Sequence, residues 1–164
     1  ALFREIVNRG HAIGLHTNSH VYGSIYSSDE AFFLDLETIS RRVEAVVGFA
    51  PKIMRFAGGS SNTVSAKYSR GIMTRLVDKV HERGYRYYDW NCSTGDGGNV
   101  TTEQEIENVK AAAGGKGPLY LLAHDTKPQT LEAMKTIIPY LLSLGYSFEP
   151  ITESTPEYRH SVAN

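Results

Sequence analysis

One local pattern recurs five times along the chain: a helical segment ends at or near a glycine, and a short run of β-forming residues follows. Glycine at this place supplies the left-handed conformation that caps the C-terminus of a helix. Strands that alternate with helices predict right-handed βαβ units and a parallel sheet covered by helices. The pattern therefore predicts an α/β fold. The five junctions read "IVNRGHAIGLH", "AVVGFAPKIMRF", "HERGYRYYDWN", "AAAGGKGPLYLLAH" and "LLSLGYSFEPI".

The predicted helices have start signals of their own. Ser28 precedes the segment "DEAFFLDLETISRRVEAVVG" and is predicted to cap it through its hydroxyl group. Thr102 and Glu105 have the S/T-x-x-E spacing of a capping box. Thr130 precedes "LEAMKTIIPYLLSLG" and predicts the start of the last helix.

The composition limits the classes of function. The chain has 164 residues, of which 41% are hydrophobic, and it can bury the core of a single domain. Its formal net charge of -1 gives no excess positive field, so we expect no binding to nucleic acid and favour a neutral or zwitterionic substrate. Cys92 is the only cysteine, which excludes an internal disulfide and a zinc knuckle built from several thiolates. We expect Cys92 to be a packed strand residue.

Polar side chains follow four of the five predicted strands. Parallel sheets place their ligands at the carboxyl ends of the strands, where these side chains would lie. The fifth strand end, after "SFEPI", has only Glu153 nearby and is expected to be structural. The residues at the other four ends are His16 and His20; Arg55 followed by "AGGSSN"; Asp89, Trp90, Asn91 and Asp96; and His124 with Asp125.

The two histidines of "HTNSH", His16 and His20, have a spacing that lets both rings point to one side of a tight turn or helical segment. Neutral imidazoles are good zinc ligands, but a catalytic zinc needs a third protein ligand. The candidates for that ligand are Asp96, His124 and Asp125. An ordinary pair of surface histidines is the alternative.

The run "PLYLLA" predicts a buried strand that brings His124 to the mouth of the sheet. A histidine that pairs with a carboxylate there can act as a general acid near neutral pH, and Asp96 or Asp125 could be its partner. Arg55 ends the apolar strand "KIMRF", where a buried guanidinium needs a carboxylate partner; a surface ion pair is the alternative. The glycines that follow can direct backbone N–H groups at an oxyanion.

Together these motifs resemble those of the polysaccharide deacetylases with a NodB-type domain, carbohydrate esterase family 4, which remove N- or O-acetyl groups from glycans. "HTNSH" is similar to the family's H-[ST]-x-x-H metal motif, "RFAGG" to R-x-P-x-G, "DWNCSTGD" to the aromatic-rich motif that ends in aspartate, and "LLAHD" to L-x-H. The resemblance extends from Leu2 to about Ile151. It implies a distorted (β/α) barrel over residues 1–152 and a C-terminal tail at residues 153–164.

The resemblance implies a role for each motif. His16 and His20 would bind a divalent metal ion, with zinc expected first. His124 would be the general acid that protonates the leaving amine, and Asp96 would orient it. The other implied residues are Arg55, which would hold the catalytic base; Gly58, whose backbone would contribute to the oxyanion site; and Trp90 with Leu122, which would line the pocket for the acetyl methyl group.

The implied activity is metal-dependent removal of acetyl groups from a polysaccharide partner. N-acetylglucosamine polymers such as peptidoglycan or chitin-like glycans are the favoured substrates, and acetylated xylan is next. The resemblance alone implies an extracellular or cell-envelope location. Two alternatives stay open: a non-catalytic glycan-binding domain, and an unrelated metal-dependent α/β hydrolase in which Asp96 or Asp125 completes the metal site.

The family's first motif, a strand that ends in two adjacent aspartates, has no counterpart in the sequence. In the family this motif supplies the catalytic base and the third metal ligand, and it would precede Leu2. We therefore expect the 164 residues to be a NodB-type barrel that is incomplete at its N-terminus. Such a chain would associate with itself or with the missing N-terminal segment, and alone it would release little or no acetate.

Overall fold

The structure, a computed structural model, describes residues 2–115 and 117–164. The backbone forms two units, Ala1–Asp89 with Pro150–Asn164, and Trp90–Glu149. Residues 150–164 thus belong to the first unit, while the domain boundary expected after residue 152 stays a prediction. Among the helices that the described residues form, none combines the length with the apolar character that a bilayer crossing needs.

Helix α3 of the first unit has the predicted signals at both of its ends. The Ser28 hydroxyl accepts a hydrogen bond of 3.1 Å from the Ala31 N–H, which confirms the predicted N-cap. At the other end Gly48 is left-handed and donates its N–H to the Glu44 carbonyl. The helices of this unit are α1 (Leu2–Asn8), α2 (Tyr22–Ile25), α3 (Asp29–Val47) and α4 (Ile72–Glu82), with a 3-10 helix at Val64–Lys67.

The sheet of the first unit is short and parallel, as the sequence predicts. Strand β1 (Ile53–Met54) pairs with β2 (Arg86–Tyr87), and Leu15 forms a single parallel bridge to Met54 on the other side. Three carboxyl ends therefore lie side by side, and the residues that directly follow them include His16 and Arg55. This arrangement brings His16 and Arg55 to one edge of the sheet, where parallel sheets place their ligands.

The core of the first unit is aromatic and aliphatic. Phe32 and Phe56 pack with ring centroids 5.4 Å apart, and Phe56 meets Tyr87 edge-on at 5.1 Å. These rings join α3 to the sheet that positions the strand ends. Other fully buried side chains of this core are Leu15, Ile25, Tyr26, Leu36, Ile72, Met73, Leu76 and Val80.

The last residues of the chain are bonded into the first unit. Glu157 accepts hydrogen bonds of 2.8 Å from the Tyr87 N–H and from the His81 ring. The carbonyl group of Asn164 accepts a 2.7 Å hydrogen bond from the Thr74 N–H. The segment is thus held by directional contacts to β2 and α4.

The second unit repeats the same design on a smaller scale. Strand β3 (Cys92–Ser93) pairs in parallel with β4 (Leu121–Leu122), and helices α5 (Thr102–Ala112) and α6 (Pro128–Ser143) pack together. Cys92 is buried in this core, which confirms its expected packing role, and burial raises the pKa of its thiol group. The buried core consists of Cys92, Val109, Ala113, Ala133, Ile137 and Leu141.

Two predicted helix starts are wrong. The capping box of α5 is formed by Thr101 and Gln104, so Thr102 lies inside the helix. Helix α6 begins at Pro128, because proline suits the first turn, and Thr130 therefore lies inside it. This shift turns the Thr130 side chain from a capping group into a buried hydrogen-bond donor.

The fifth predicted strand is also wrong, because residues 146–151 form no strand in the structure. Two backbone N–H groups at the start of this stretch, those of Gly145 and Tyr146, close the preceding helix. Tyr146 N–H donates to the Leu141 carbonyl and Gly145 N–H donates to the Leu142 carbonyl. This is the Schellman pattern, and Gly145 adopts the φ of 88° that the pattern requires. The glycine signal was therefore correct for the helix end.

Candidate active site

Two histidine rings meet at the edge of the sheet in the first unit. The ring centroids of His16 and His20 are 5.1 Å apart, with an angle of 57° between their planes. Two imidazoles that bind one zinc ion at Zn–N distances of about 2.0 to 2.1 Å and near-tetrahedral angles have ring centroids about 5 Å apart. The separation of the rings therefore fits shared ligation of one ion.

The orientation of His16 is fixed by the neighbouring strand. Its Nδ1 atom lies 2.7 Å from the backbone carbonyl oxygen of Arg55. A carbonyl oxygen only accepts, so Nδ1 carries the hydrogen and, in the neutral ring, the lone pair is on Nε2. Metal-binding histidines commonly have such a partner on the nitrogen that does not bind the metal.

His20 has an unusual backbone conformation. Its φ of 54° makes it the only residue other than glycine with a positive φ in the described part of the chain. This left-handed conformation costs free energy and is found preferentially at functional sites. It turns the chain sharply between the histidine motif and helix α2.

Asp35 of helix α3 holds the turn that carries the two histidines. One of its carboxylate oxygens accepts the Asn18 N–H at 2.7 Å and the other accepts the Ser19 N–H at 3.0 Å. The sequence did not predict this role of Asp35, because no sequence motif marks a side chain that accepts hydrogen bonds from backbone N–H groups. An acidic residue on the face of a helix next to a predicted metal turn is the only signal that was present.

The donor set offers two metal ligands. Within residues 2–115 and 117–164 no group of three or more histidine, cysteine or carboxylate side chains is arranged to hold a metal ion. The third ligand, for which the sequence offers Asp96, His124 and Asp125 as candidates, stays a prediction. Asp125 is exposed. The two imidazoles fit a divalent metal as part of its ligand set.

Arg55 lies at the end of β1, directly beside the His16 segment. Its N–H donates to the Leu15 carbonyl at 2.9 Å. The side chain is half-buried, and the guanidinium makes no hydrogen bond or ion pair with any residue that the structure describes. The surface ion pair considered as an alternative is therefore not observed there. Burial lowers the pKa of Arg55, and the charge of Asp89 opposes that shift.

A second carboxylate, Asp89, holds the glycine-rich loop after β1. Asp89 is buried and accepts the Ser60 N–H at 2.9 Å, the Ser60 hydroxyl, and the His160 N–H at 2.9 Å. The sequence placed Asp89 at a strand end but gave it no role. These bonds fix both the loop and the C-terminal segment, which makes Asp89 a positioning residue.

Gly58 lies at the exposed start of that loop with φ at 77°. A Cβ atom built on Gly58 would lie 2.5 Å from the hydroxyl oxygen of Tyr22, so no larger residue fits without a shift. The Tyr22 ring also meets the His20 ring at a centroid distance of 5.9 Å. Burial raises the pKa of the Tyr22 hydroxyl, and the charge of Arg55 opposes that shift.

The second unit contains a histidine–carboxylate pair. His124 Nδ1 lies 2.7 Å from Asp96 Oδ1, and the His124 N–H donates to Asp96 Oδ2 at 2.6 Å. The Thr130 hydroxyl also donates to Oδ2, at 2.9 Å. Burial opposes ionisation of Asp96, but the hydrogen bonds from His124, Thr130 and Thr94 outweigh it and lower the pKa of Asp96. Sequence analysis predicted the pair and missed Thr130.

The two residues expected to line an acetyl pocket lie at the start of the second unit and on its last strand. Trp90 is partly buried and precedes β3, and Leu122 is partly exposed at the end of β4. The Leu122 carbonyl accepts the Thr94 N–H at 3.1 Å, which joins the two strands. The lining role of both residues stays a prediction.

Comparisons with known proteins give consistent matches. The family model described as polysaccharide deacetylase matches residues 1–77. The catalytic domain of a peptidoglycan N-acetylglucosamine deacetylase from Eubacterium rectale is 42% identical in sequence and superposes with a TM-score of 0.96, covering 99% of this chain and 75% of that one. The prediction of a NodB-type α/β fold is thereby confirmed.

Two curated relatives come from Bacillus cereus, and both are named peptidoglycan-N-acetylglucosamine deacetylase. One is 30% identical over 97% of this chain and 70% of its own length. The other is 26% identical over 93% of this chain, which spans 56% of that relative. The reading as an unrelated metal-dependent hydrolase is therefore wrong, and the chain belongs to the polysaccharide deacetylase family.

Proposed function

We propose that the protein removes acetyl groups from N-acetylglucosamine residues of a polysaccharide, with peptidoglycan favoured over chitin-like glycans and acetylated xylan. The observation on which this rests is the 42% identity, over 99% of the chain, to the catalytic domain of a peptidoglycan N-acetylglucosamine deacetylase. A peptidoglycan substrate lies in the cell envelope, so we propose a cell-envelope or extracellular location. The net charge of -1 suits a substrate without strong charge.

We propose zinc as the metal and His16 and His20 as two of its ligands. The 5.1 Å separation of their rings and the bond from His16 Nδ1 to the Arg55 carbonyl support this assignment. A bound divalent metal supplies polarisation of the acetyl carbonyl and a water of lowered pKa. The chain itself holds the two imidazoles in place through the turn that is bonded to Asp35.

His124 is proposed as the general acid. The lowered pKa of Asp96 keeps its carboxylate ionised, and this carboxylate holds the His124 ring with Nδ1–H directed at it. Nε2 then carries the proton that passes to the amine nitrogen as the C–N bond of the acetamide breaks. Water supplies the hydroxyl group of the acetate product, and the amino sugar leaves as the free amine.

Arg55 and Gly58 are proposed to serve the other half of the reaction. The half-buried guanidinium of Arg55 has no hydrogen-bonding carboxylate among the described residues, and it suits the carboxylate of a catalytic base. In the family two adjacent aspartates supply that base. The backbone N–H of Gly58, an exposed residue, is proposed to stabilise the oxyanion of the tetrahedral intermediate. Trp90 and Leu122 are proposed to contact the acetyl methyl group.

The test measures acetate released by the full-length natural protein, loaded with zinc, from N-acetylglucosamine oligomers, peptidoglycan and acetylated xylan. We expect release from the first two, and a loss of about 1,000-fold in kcat for His124→Ala. Removal of zinc with a chelator should abolish release. Exposed His11 provides the matched control, since His11→Ala should keep full activity.

The outcomes separate the alternatives. No acetate from any of the three substrates contradicts the proposal. If oligosaccharides then bind equally well with and without the chelator, the protein is the non-catalytic glycan-binding domain. Acetate from xylan alone would contradict the proposed substrate class but keep the deacetylase chemistry.

A further inference from the structure

Tyr22 stands between the histidine pair and the glycine-rich loop, both within the first unit. It is the first residue of helix α2 and follows His20 by two positions. Its ring makes an edge contact with the His20 ring at 5.9 Å and another with the Tyr26 ring at 5.4 Å. Both contacts fix where the hydroxyl group of Tyr22 lies.

That hydroxyl group faces the backbone of Gly58. A Cβ atom on Gly58 would lie 2.5 Å from Tyr22 Oη and 3.5 Å from Cζ, so the hydroxyl fills the space that any other side chain at position 58 would take. Gly58 itself is exposed to solvent. Glycine at position 58 thus allows a phenol to approach the loop closely.

The hydrogen bonds of two neighbouring tyrosines distinguish them. The Tyr26 hydroxyl is buried and donates to the Ala57 carbonyl at 2.8 Å, so its role is structural. The Tyr22 hydroxyl makes no hydrogen bond with any residue of the described ranges, although its ring is partly buried. A phenol next to the proposed oxyanion loop therefore keeps its donor for a ligand.

We propose that Tyr22 is a further catalytic residue, whose hydroxyl group donates a hydrogen bond to the acetamido carbonyl oxygen of the glycan beside the Gly58 N–H. The inference rests on the proposed deacetylase function and adds a residue to it. The bond strengthens as the carbonyl oxygen gains negative charge, so it lowers the barrier of the hydrolysis more than it tightens substrate binding. The phenol stays protonated throughout.

The experiment compares Tyr22→Phe with Tyr68→Phe in the full-length, zinc-loaded protein. Tyr68 is an exposed tyrosine that also touches the start of α2, since a Cβ on Gly23 would lie 3.2 Å from its ring. Each substitution removes one hydroxyl group and keeps the ring. We expect kcat for acetate release to fall about 100-fold in Tyr22→Phe, with little change in KM, and to stay at the wild-type value in Tyr68→Phe.

A second measurement is the Kd of an N-acetylglucosamine tetramer by calorimetry, together with the melting temperature. We expect wild-type Kd and melting temperature in Tyr22→Phe. Equal kcat in the two variants, with an active wild-type protein, would overturn the role of Tyr22 and leave the deacetylase function intact. A fall of kcat in Tyr22→Phe that is accompanied by a fall of the melting temperature would show a structural role, and it would likewise overturn the catalytic role of Tyr22. An inactive wild-type protein would contradict the proposed function itself.

Discussion

The ring of His124 shares a 2.7 Å hydrogen bond with the carboxylate of Asp96, yet the two side chains differ in exposure: 37% for His124 and 1% for Asp96. The buried carboxylate accepts hydrogen bonds at both of its oxygens, from His124 and from Thr130. The imidazole is partly exposed to solvent. A fixed anion behind a solvent-accessible histidine is the arrangement that a general acid needs.

Replacing Asp96 with asparagine should impair both catalysis and folding. The asparagine side chain has no charge, and its NH₂ group would face the donors of His124 and Thr130, which need an acceptor. We expect a fall of about 100-fold or more in kcat and a loss of about 2 to 3 kcal/mol in the free energy of unfolding. Thr130→Val is the matched control, since it removes one donor and keeps the anion; its kcat should stay within about 10-fold of the wild-type value.

The pH dependence of Asp96→Asn gives an independent check. Because the pKa of Asp96 is lowered, its ionised carboxylate stabilises the folded protein at pH values above 3.8, the ordinary pKa of an aspartate. This contribution is lost as the pH falls through the pKa of the folded state. The difference in unfolding free energy between wild type and Asp96→Asn should therefore shrink below about pH 3.8. A difference that stays constant from pH 7 to pH 3 in urea titrations would contradict the role of the ionised carboxylate.

The histidine pair should govern metal affinity. Removing either ring, in His16→Ala or His20→Ala, should weaken zinc binding more than about 100-fold, because each loses a direct ligand. Calorimetric titration of zinc into the metal-free full-length protein measures this effect. His11→Ala, on the exposed segment just before the motif, should bind zinc like the wild type. Wild-type affinity in either ligand variant would show that the rings merely pack together.

Asp35 should act on the same metal through the backbone. In Asp35→Asn one of the two hydrogen bonds to the Asn18 and Ser19 N–H groups is lost, which frees the turn between the ligands. We expect zinc affinity to fall about 10-fold, in the range seen for groups that orient ligands. Glu37→Gln on the same helix changes only a surface ion pair with Arg83 and should have no effect. Equal affinities in the two variants would contradict this role.

The sequence predicted the chemistry at the strand ends better than the extent of the strands. His16 and Arg55 follow apolar runs that end at one edge of the sheet, so their placement followed from the α/β pattern. The strands themselves have only two residues each. Their length depends on pairing with a neighbouring strand, which the local sequence pattern does not reveal. Residues 146–151 illustrate this point: the segment has a β-forming composition but forms no strand, and the N–H of its first residue, Tyr146, closes helix α6.

The groups that hold the site were not predicted. Asp35 and Asp89 bond to backbone N–H groups far away in the sequence, and Thr130 bonds to Asp96 from inside a helix. Backbone donors have the same chemistry at every residue, so no motif marks their partners. Such residues become visible only when tertiary packing brings distant segments together.

Glu157 should stabilise the C-terminal segment in a pH-dependent way. Burial opposes its ionisation, but the hydrogen bonds from His81 and Tyr87 and the charge of Arg159 lower its pKa. The contribution of Glu157 to stability is present at pH values above 4.5, the ordinary pKa of a glutamate, and it is lost as the pH falls through the pKa of the folded state. We expect Glu157→Gln to lower the unfolding free energy by about 1 to 3 kcal/mol at pH 7 and by much less at pH 3.

The control for this prediction is Glu153→Gln, which changes an exposed carboxylate of the same segment. Its unfolding free energy in urea should match that of the wild type at both pH values. Equal stability of the Glu157 and Glu153 variants at pH 7 would show that the hydrogen bonds to the Glu157 carboxylate add nothing to the stability of the fold.

Replacing Gly58 with alanine should impair the protein more than the positive φ of Gly58 alone would explain. In Gly58→Ala the positive φ of 77° costs about 1 kcal/mol, and the new Cβ also meets the Tyr22 hydroxyl at 2.5 Å. Gly48→Ala has the same conformational cost at φ 89° with nothing within 4 Å, so it is the matched control. Because the clash must move Tyr22 or the loop, we expect Gly58→Ala to lower kcat at least about 100-fold and Gly48→Ala to lower only the melting temperature. Equal kcat in the two variants would show that Tyr22 and the loop rearrange at no cost to the reaction.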